Sequence, residues 1–412
     1  MASSKLYYFF VFVIPFLGIS LLIPIPATAF FVAVFAFQLS LSLVKPQNEM
    51  VNYFFLITLS LFIWLILSHA INFVRFEYSI GELRLFFGRL SFIVIALMTY
   101  STIRTEEDFR KILRVLSYSV LLLSGLIILF SIFHIDPFHV MTRHPRIYWG
   151  VSMPFHKTSA IPVSYGEVGI IAISVIPALM YSVRRQVGVF GSSVSVAALM
   201  LILLAIFVSQ SRNAWVSVLV SMSSVLLLRR EKPPGQLVRA ALFLFLGATG
   251  AVSLFYFKDL FEDLIRGFVS TDIYQANVLN RLYSYEMGVQ LFLNNMTMGI
   301  GSANVAKNIG LFKGEENVLH NAFIDQLAGT GLFGFIPFVL LFAIAFFQLA
   351  RISKSKNQRI AVYGRILMCS LIGTVCALQF YRGFLPETLA VEYGLILSLW
   401  RLHAFDAPGE RL

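Results

Sequence analysis

With 412 residues, 58% of them hydrophobic and 13% charged, and a mean hydropathy of +0.80, the chain has too few polar side chains to cover a water-facing surface; soluble domains carry about 25% charged residues. A soluble multidomain enzyme is excluded, and 1–412 reads as a single polytopic membrane domain, all-α because hydrocarbon offers open backbone groups no partner. Two cysteines, Cys369 and Cys376, exclude a disulfide framework and lack zinc-ligand spacing, and the net charge of +11 poses a question of membrane sidedness rather than of nucleic acid.

A bilayer is crossed by about 17–25 apolar residues. Twelve such transmembrane helices are predicted, near 7–23, 25–44, 51–71, 84–100, 115–134, 166–183, 192–208, 214–228, 238–257, 327–349, 365–381 and 386–400. The first run follows Lys5 and precedes the small-residue pattern Ala27-Thr28-Ala29, as a signal peptide would, but its length and the run directly behind it argue for a retained span. An even number of spans puts both termini on one side. With the termini in the cytoplasm, 19 of the 32 Lys and Arg residues fall on short inside loops, among them Arg104, Arg110, Lys111, Arg114, Arg351 and Arg401, as the positive-inside bias requires. The other 13 lie outside or near the outer ends of spans, where that bias does not account for them.

The outer connections include a loop at about 135–165, a tight turn at 209–213 and a long segment at 258–326 between helices 9 and 10. In the first, Arg143 and Arg146 stand with Tyr148 and Trp149, a set that suits either a phosphate or glycan contact or an interfacial anchor. The histidines His134, His139, His144 and His156 lack a metal-ligand pattern, so neither a metal nor another cofactor is expected. Glu167 opens the sixth span, as a partner for an outer arginine or simply as a polar helix start. Between the seventh and eighth spans stands Gln210-Ser211-Arg212-Asn213-Ala214-Trp215. An arginine at the membrane edge is a functional candidate, with snorkelling at a helix end as the plainer alternative.

Within 258–326, Asn280 to Asn295 read as an amphipathic helix with Arg281, Tyr285, Gly288 and Phe292 on one stripe. Gly299-Ile300-Gly301 breaks it and permits close approach of a ligand or another helix; a helix lying on the bilayer would also explain the amphipathicity. His320-Asn321, nine further residues, Gly331, two more and Gly334 then lead into the tenth span. Histidine, with an ordinary pKa of about 6.5, suits proton acceptance near neutrality, and Glu315, Glu316 and Asp325 are available to orient it. Arg382, Glu387 and Glu392, near the outer ends of the last spans, either ring a site or pair with one another, and Arg89 in the fourth span should face protein.

Ser211-Arg212-x-Ala214-Trp215 resembles the Ser-Arg-Gly-Ala-Trp stretch of the O-antigen ligase and polymerase family, with Asn213 where glycine is usual. The Asn280-Arg281 helix followed by Gly-Ile-Gly, and the His-Asn-x9-Gly-x2-Gly element, come in the family's order. Tyr165-Gly166-Glu167 stands where many members have an Asn-Pro-Asn-like stretch. The likeness is one of motifs from about 205 to 350 and of hydropathy alone over the first 160 residues. It implies an inverting, metal-independent glycosyltransferase of the bacterial inner membrane, multi-pass, with cytoplasmic termini and a periplasmic active site. The implied donor is an undecaprenyl-diphosphate-linked polysaccharide. The implied acceptor is lipid A–core for a ligase or a growing glycan for a polymerase, and the His-Asn spacing is closer to the ligases. On this resemblance Arg212 and Arg281 hold the diphosphate, for which guanidinium forks suit better than lysine, and His320 takes the acceptor's proton. A polysaccharide flippase or transporter is the alternative from another class, but no internal repeat is visible and the polar residues gather at the outer edge rather than the midplane. A purely structural envelope subunit would leave the two arginines and the histidine without a role.

Overall fold

The computed structural model describes residues 7–9, 11–12, 49–75, 92–133, 147–148, 151–152, 167–209, 211–228, 272–309, 311–312, 315–316, 319–380 and 387–406. Its helices are α1 (Glu49–Arg75), α2 (Phe92–Thr102), α3 (Glu106–Ile132), α4 (Glu167–Ile173), α5 (Ile176–Val183), α6 (Ser192–Val208), α7 (Arg212–Leu227), α8 (Asp272–Asn294), α9 (Ser302–Ile309), α10 (Ala322–Ile352), α11 (Gln358–Leu378) and α12 (Glu387–Asp406). Two small antiparallel hairpins of two residues per strand accompany them, β1 (Ile147–Tyr148) with β2 (Val151–Ser152), and β3 (Leu311–Phe312) with β4 (Glu315–Glu316).

Helices α3, α10 and α11 are long and apolar enough to cross a membrane, and shorter apolar helices coincide with the predicted third, fourth, sixth, seventh and eighth runs. Helix α12 takes the place of the twelfth. The predicted second and ninth spans, at 25–44 and 238–257, lie outside the described residues. The sixth run is broken in two: a turn at Ser174 and Val175 separates α4 from α5, with Pro177 in the first turn of α5, where its missing N–H costs nothing.

Polar residues set the helix starts. Thr105 and Asp108 form a reciprocal capping box on α3, Ser211 caps α7, Asn321 caps α10 and Asn357 caps α11. The apolar faces then pack into one core, with α11 against α7, α10 against α1, and α3 against α6. At one end of the bundle, basic side chains occupy helix C-termini and turns. The Arg401 guanidinium donates to the carbonyls of Ile103 and, at 2.8 Å, Tyr100, and stacks over the Tyr100 ring. Arg114 donates to Val189 O at 2.9 Å and Gly188 O at 3.2 Å. Arg401 thus satisfies carbonyls at the end of α2, and Arg114 carbonyls in the turn between α5 and α6.

The opposite end carries the break that shapes the molecule. At 1.5 Å per residue the 31 residues of α10 would span about 46 Å, well beyond the roughly 30 Å of a bilayer core. The helix is interrupted at Gly331, with φ 58° and ψ −164°. The turn at 295–301 docks there by backbone bonds: Ile300 N to Ala328 O at 3.0 Å, Gly301 N to Gly329 O at 2.8 Å, Leu332 N to Met296 O at 2.8 Å and Phe333 N to Thr297 O at 3.1 Å. Asn72 of α1, fully buried, clamps the junction by donating to Met298 O at 2.7 Å and Gly329 O at 3.3 Å. Asn72→Ala removes the donor to Met298 O, while Gly329 O keeps its bond from Gly301 N, and is expected to cost about 1–3 kcal/mol, read as a lowered thermal unfolding midpoint of the purified protein.

Candidate functional site

The Ser211–Trp215 stretch starts α7, and its residues tie that start to the bundle. The Ser211 hydroxyl accepts from Ala214 N at 3.4 Å, and the Trp215 indole donates to Ile206 O at 2.9 Å while stacking on Phe207. Asn213 Nδ2 donates to Phe380 O at 2.9 Å, just beyond α11. Ala214 is buried against α4: a Cβ on Gly169 would lie 2.5 Å from Ala214 Cα. Four residues of the motif are therefore structural, and together they fix the backbone of Arg212 at the first turn of α7. The Arg212 side chain itself lies outside the described part.

Helix α8 begins at Asp272, eight residues before the predicted start, and two residues of its predicted stripe, Tyr285 and Gly288, meet the start of α10. A Cβ on Gly288 would sit 2.6 Å from Leu319 Cδ1 and 2.8 Å from Ile324 Cγ2, so this residue lets α8 close onto the start of α10. One turn earlier, Tyr285 Oη donates to the carbonyl oxygen of His320 at 3.0 Å. Burial raises the Tyr285 pKa above the ordinary phenol value, and the charge of half-buried Arg281 opposes that rise. Tyr285 therefore keeps its proton, and its donor role, across the physiological range; the bond is lost only in strong alkali, as pH rises through the raised value.

His320 is half-buried and immediately precedes the cap of α10. Asn321 is the cap: its Oδ1 accepts from Phe323 N at 3.0 Å and Ile324 N at 3.1 Å. Its Nδ2 donates to Gln379 Oε1 at 3.2 Å. Gln379 and Phe380 thus form a corner that joins the Ser211–Trp215 start to the His320–Asn321 start, and Tyr285 joins the latter to Arg281. The N-termini of α7 and α10 meet at this corner, with that of α4 beside α7. Each carries the partial positive charge of a helix start, which together with arginine favours an anion. The arrangement brings helix starts, the backbone of Arg212, the Arg281 side chain and the His320 residue to one end of the bundle.

Residues 197–339 match the family model for O-antigen ligase. The resemblance read from the motifs is thereby borne out over that stretch, which runs from α6 into α10 and takes in the Ser211–Trp215, Arg281–Gly301 and His320–Gly334 elements. No curated protein matches the chain. Over that stretch the chain is similar to the O-antigen ligases, and its long apolar helices suit a bacterial membrane protein.

Other sequence-predicted residues fall elsewhere. Arg143, Arg146, Arg382 and Arg89 lie outside the described residues, as does the side chain of Glu167, whose backbone opens α4 two residues before Gly169. Glu315 and Glu316 form β4, and Asp325 lies in the first turn of α10. Glu392 is buried between α11 and α12 beside the Ser370 and Thr374 hydroxyls. Among the described residues no three His, Cys, Asp or Glu side chains gather as a metal site. Sequence reasoning missed Gln379, Phe380, Ser68 and Asn72. The signal for the last two was present, since Ser68 and Asn72 are polar residues one turn apart at the end of the third apolar run, and buried polar groups need partners.

Proposed function

We propose that the chain is an inverting, metal-independent glycosyltransferase at the periplasmic face of the inner membrane, moving a glycan from undecaprenyl diphosphate to a sugar hydroxyl. The observation that carries this reading is the bonded path from Asn213 through Phe380 and Gln379 to Asn321, and from His320 to Tyr285, which feels the charge of Arg281 one turn earlier on α8. It puts both arginine motifs and the histidine motif at one end of the bundle. The long segment at 258–326, in which α8 and α9 lie, belongs to the periplasmic side, with the termini in the cytoplasm.

In the proposed reaction the His320 imidazole takes the proton of the acceptor hydroxyl. The hydroxyl oxygen bonds to the anomeric carbon opposite the diphosphate, and the carbon–oxygen bond to the diphosphate breaks with its electron pair. Undecaprenyl diphosphate leaves as an anion held by Arg212 and Arg281. Because those guanidinium groups supply the positive charge, no divalent ion is assigned a step, and transfer in proteoliposomes is expected to continue in excess chelator; loss restored by a divalent ion would overturn this part.

Lysine keeps the charge but not the two-pronged donor geometry. Arg212→Lys and Arg281→Lys are each expected to raise the KM for the lipid diphosphate about tenfold, equivalent to about 1.4 kcal/mol, in initial-rate assays. The acceptor separates the two branches: purified protein reconstituted with lipid-linked glycan acts as a ligase if lipid A–core gains the glycan, and as a polymerase if the chain on undecaprenyl diphosphate grows. Protein that is inserted and folded but transfers to neither acceptor, while moving the lipid-linked glycan across the bilayer, would replace this reading with a flippase.

A further inference from the structure

The first part of α10, residues 322–330, is tied at each end to a different helix of the bundle. At one end Asn321 bonds Gln379, the residue after α11, and at the other Gly329 O accepts from Asn72, near the C-terminal end of α1. A helix fixed between the ends of two separate spanning helices lies along the face of the bundle rather than rising from it, and the break at Gly331 is where it turns inward. Helix α8 follows the same line. Tyr285 meets His320 near the cap of α10, and Met296, just past the end of α8, meets Leu332 just past the break.

Around the axis of α8, Tyr285 and Gly288 face α10, with Arg281 one turn before Tyr285 on the same side, while the next stripe stays open. Val289 is 36% and Leu293 56% exposed, at a spacing that puts them on one side, and Met296, 47% exposed, follows in the turn past the end of the helix. This stripe continues an apolar band on the spans themselves. Leu332 and Ile336 of α10 and Trp64 and Leu67 of α1 are exposed, and Trp64 packs edge-on against Phe333 with centroids 4.9 Å apart. Exposed apolar side chains on membrane-crossing helices face acyl chains. Gln290 and Asn294, also exposed, lie about 100° further round α8. The helix thus has protein on one side, an apolar edge continuous with the lipid-facing band, and polar residues beyond it.

We infer that α8 is an interfacial helix whose Val289–Leu293–Met296 stripe is embedded among the acyl chains of the adjoining leaflet. The occupant of this surface is lipid, because the exposed stripe meets the band that the spans present to the bilayer where Met296 bonds Leu332. Amphipathic helices of this kind settle at the border between headgroups and chains. On the proposed function, this depth holds Arg281 at the level of lipid phosphates, where the diphosphate of a polyprenyl-linked donor lies.

The test uses the full chain in liposomes, with Cys369 and Cys376 replaced by alanine and single nitroxide labels at Leu293→Cys, Met296→Cys and Asn294→Cys. Power saturation compares relaxation by oxygen, which concentrates in the chains, with relaxation by a water-soluble nickel chelate. Labels at 293 and 296 are expected to favour oxygen several-fold, and the label at 294 to favour the chelate. Equal chelate access at all three positions would overturn the inference, and so would protection of 293 and 296 from both reagents, which would place a protein partner there. On the unsubstituted protein, a photoactivated apolar lipid probe is expected to label the 289–296 peptide, and absence of that adduct beside labelled span peptides counts against the inference equally. Neither readout needs turnover, so failure here is distinct from failure of the glycosyl-transfer reading.

Discussion

His320→Ala is expected to lower glycan transfer by about 10²–10⁴-fold, the range contributed by a positioned general base, with the thermal midpoint close to that of the parent. The two effects separate because alanine keeps the backbone contacts of this residue. Tyr285 donates to the His320 carbonyl, which alanine retains, and the cap of α10 belongs to Asn321. Asn321→Ala should do the reverse: it removes the oxygen that two backbone N–H groups need, at about 0.5–2 kcal/mol, and lowers transfer only through displacement of its neighbour. Tyr285→Phe keeps the ring and removes one bond, so its expected loss of turnover is smaller than that of His320→Ala, with the KM for donor nearly unchanged. Equal transfer by folded His320→Ala and parent protein would remove His320 from the chemistry.

Gly331→Ala is expected to have the largest effect on the folded state. At φ 58° and ψ −164° an L side chain is strained, at about 1–3 kcal/mol. The added Cβ would also sit 2.5 Å from the carbonyl carbon and oxygen of Thr297 and 2.6 Å from Gly299 N. Those are backbone atoms held by the ladder between 295–301 and 328–333, so they cannot yield by a rotamer change, and overpacking adds about 1–3 kcal/mol more. Sums of that size consume much of the 5–15 kcal/mol that holds a typical domain together, and little monodisperse protein should be recovered. Gly125→Ala in α3 supplies the comparison. Nothing lies within 4 Å of its added Cβ, and alanine is the better helix former by about 1 kcal/mol, so that variant should be as stable as the parent or slightly more so. A Gly331→Ala protein with the parent's yield and midpoint would mean that the break in α10 is not needed.

How much of this was legible depends on whether the cause was local. Hydropathy marks α1, α3, α6, α7, α10 and α11, because an apolar run of the right length has few alternatives in lipid. The stripe Arg281–Tyr285–Gly288 was legible as well, since helical spacing puts those residues on one face regardless of what they touch. Gly331 and Gly334 were visible as a pattern, but their meaning was not: the partners of Gly331 are Thr297 and Gly299, and a Cβ on Gly334 would strike Thr330 and Ser68. Pro337 is the residue a sequence reader would choose for a kink, yet it sits within α10 and the interruption is at Gly331. The corner at Gln379 and Phe380 could not be read at all. Its bonds reach 58 residues back to Asn321 and 167 back to Asn213, and no local signal encodes a contact of that separation. Asn213, which departs from the glycine usual in the family, acquires its reason only there, as the donor that ties α7 to the end of α11.

Glycosyl transfer itself is tested most directly by the configuration of its product. Protein in liposomes is given undecaprenyl-diphosphate-linked glycan of known anomeric configuration together with the acceptor, and the new glycosidic linkage is read from its NMR coupling constants. The predicted result is transfer with inversion at the anomeric carbon, one undecaprenyl diphosphate released per linkage formed. Retention of configuration, or a folded and inserted protein that forms no linkage with either lipid A–core or a growing glycan, would contradict it.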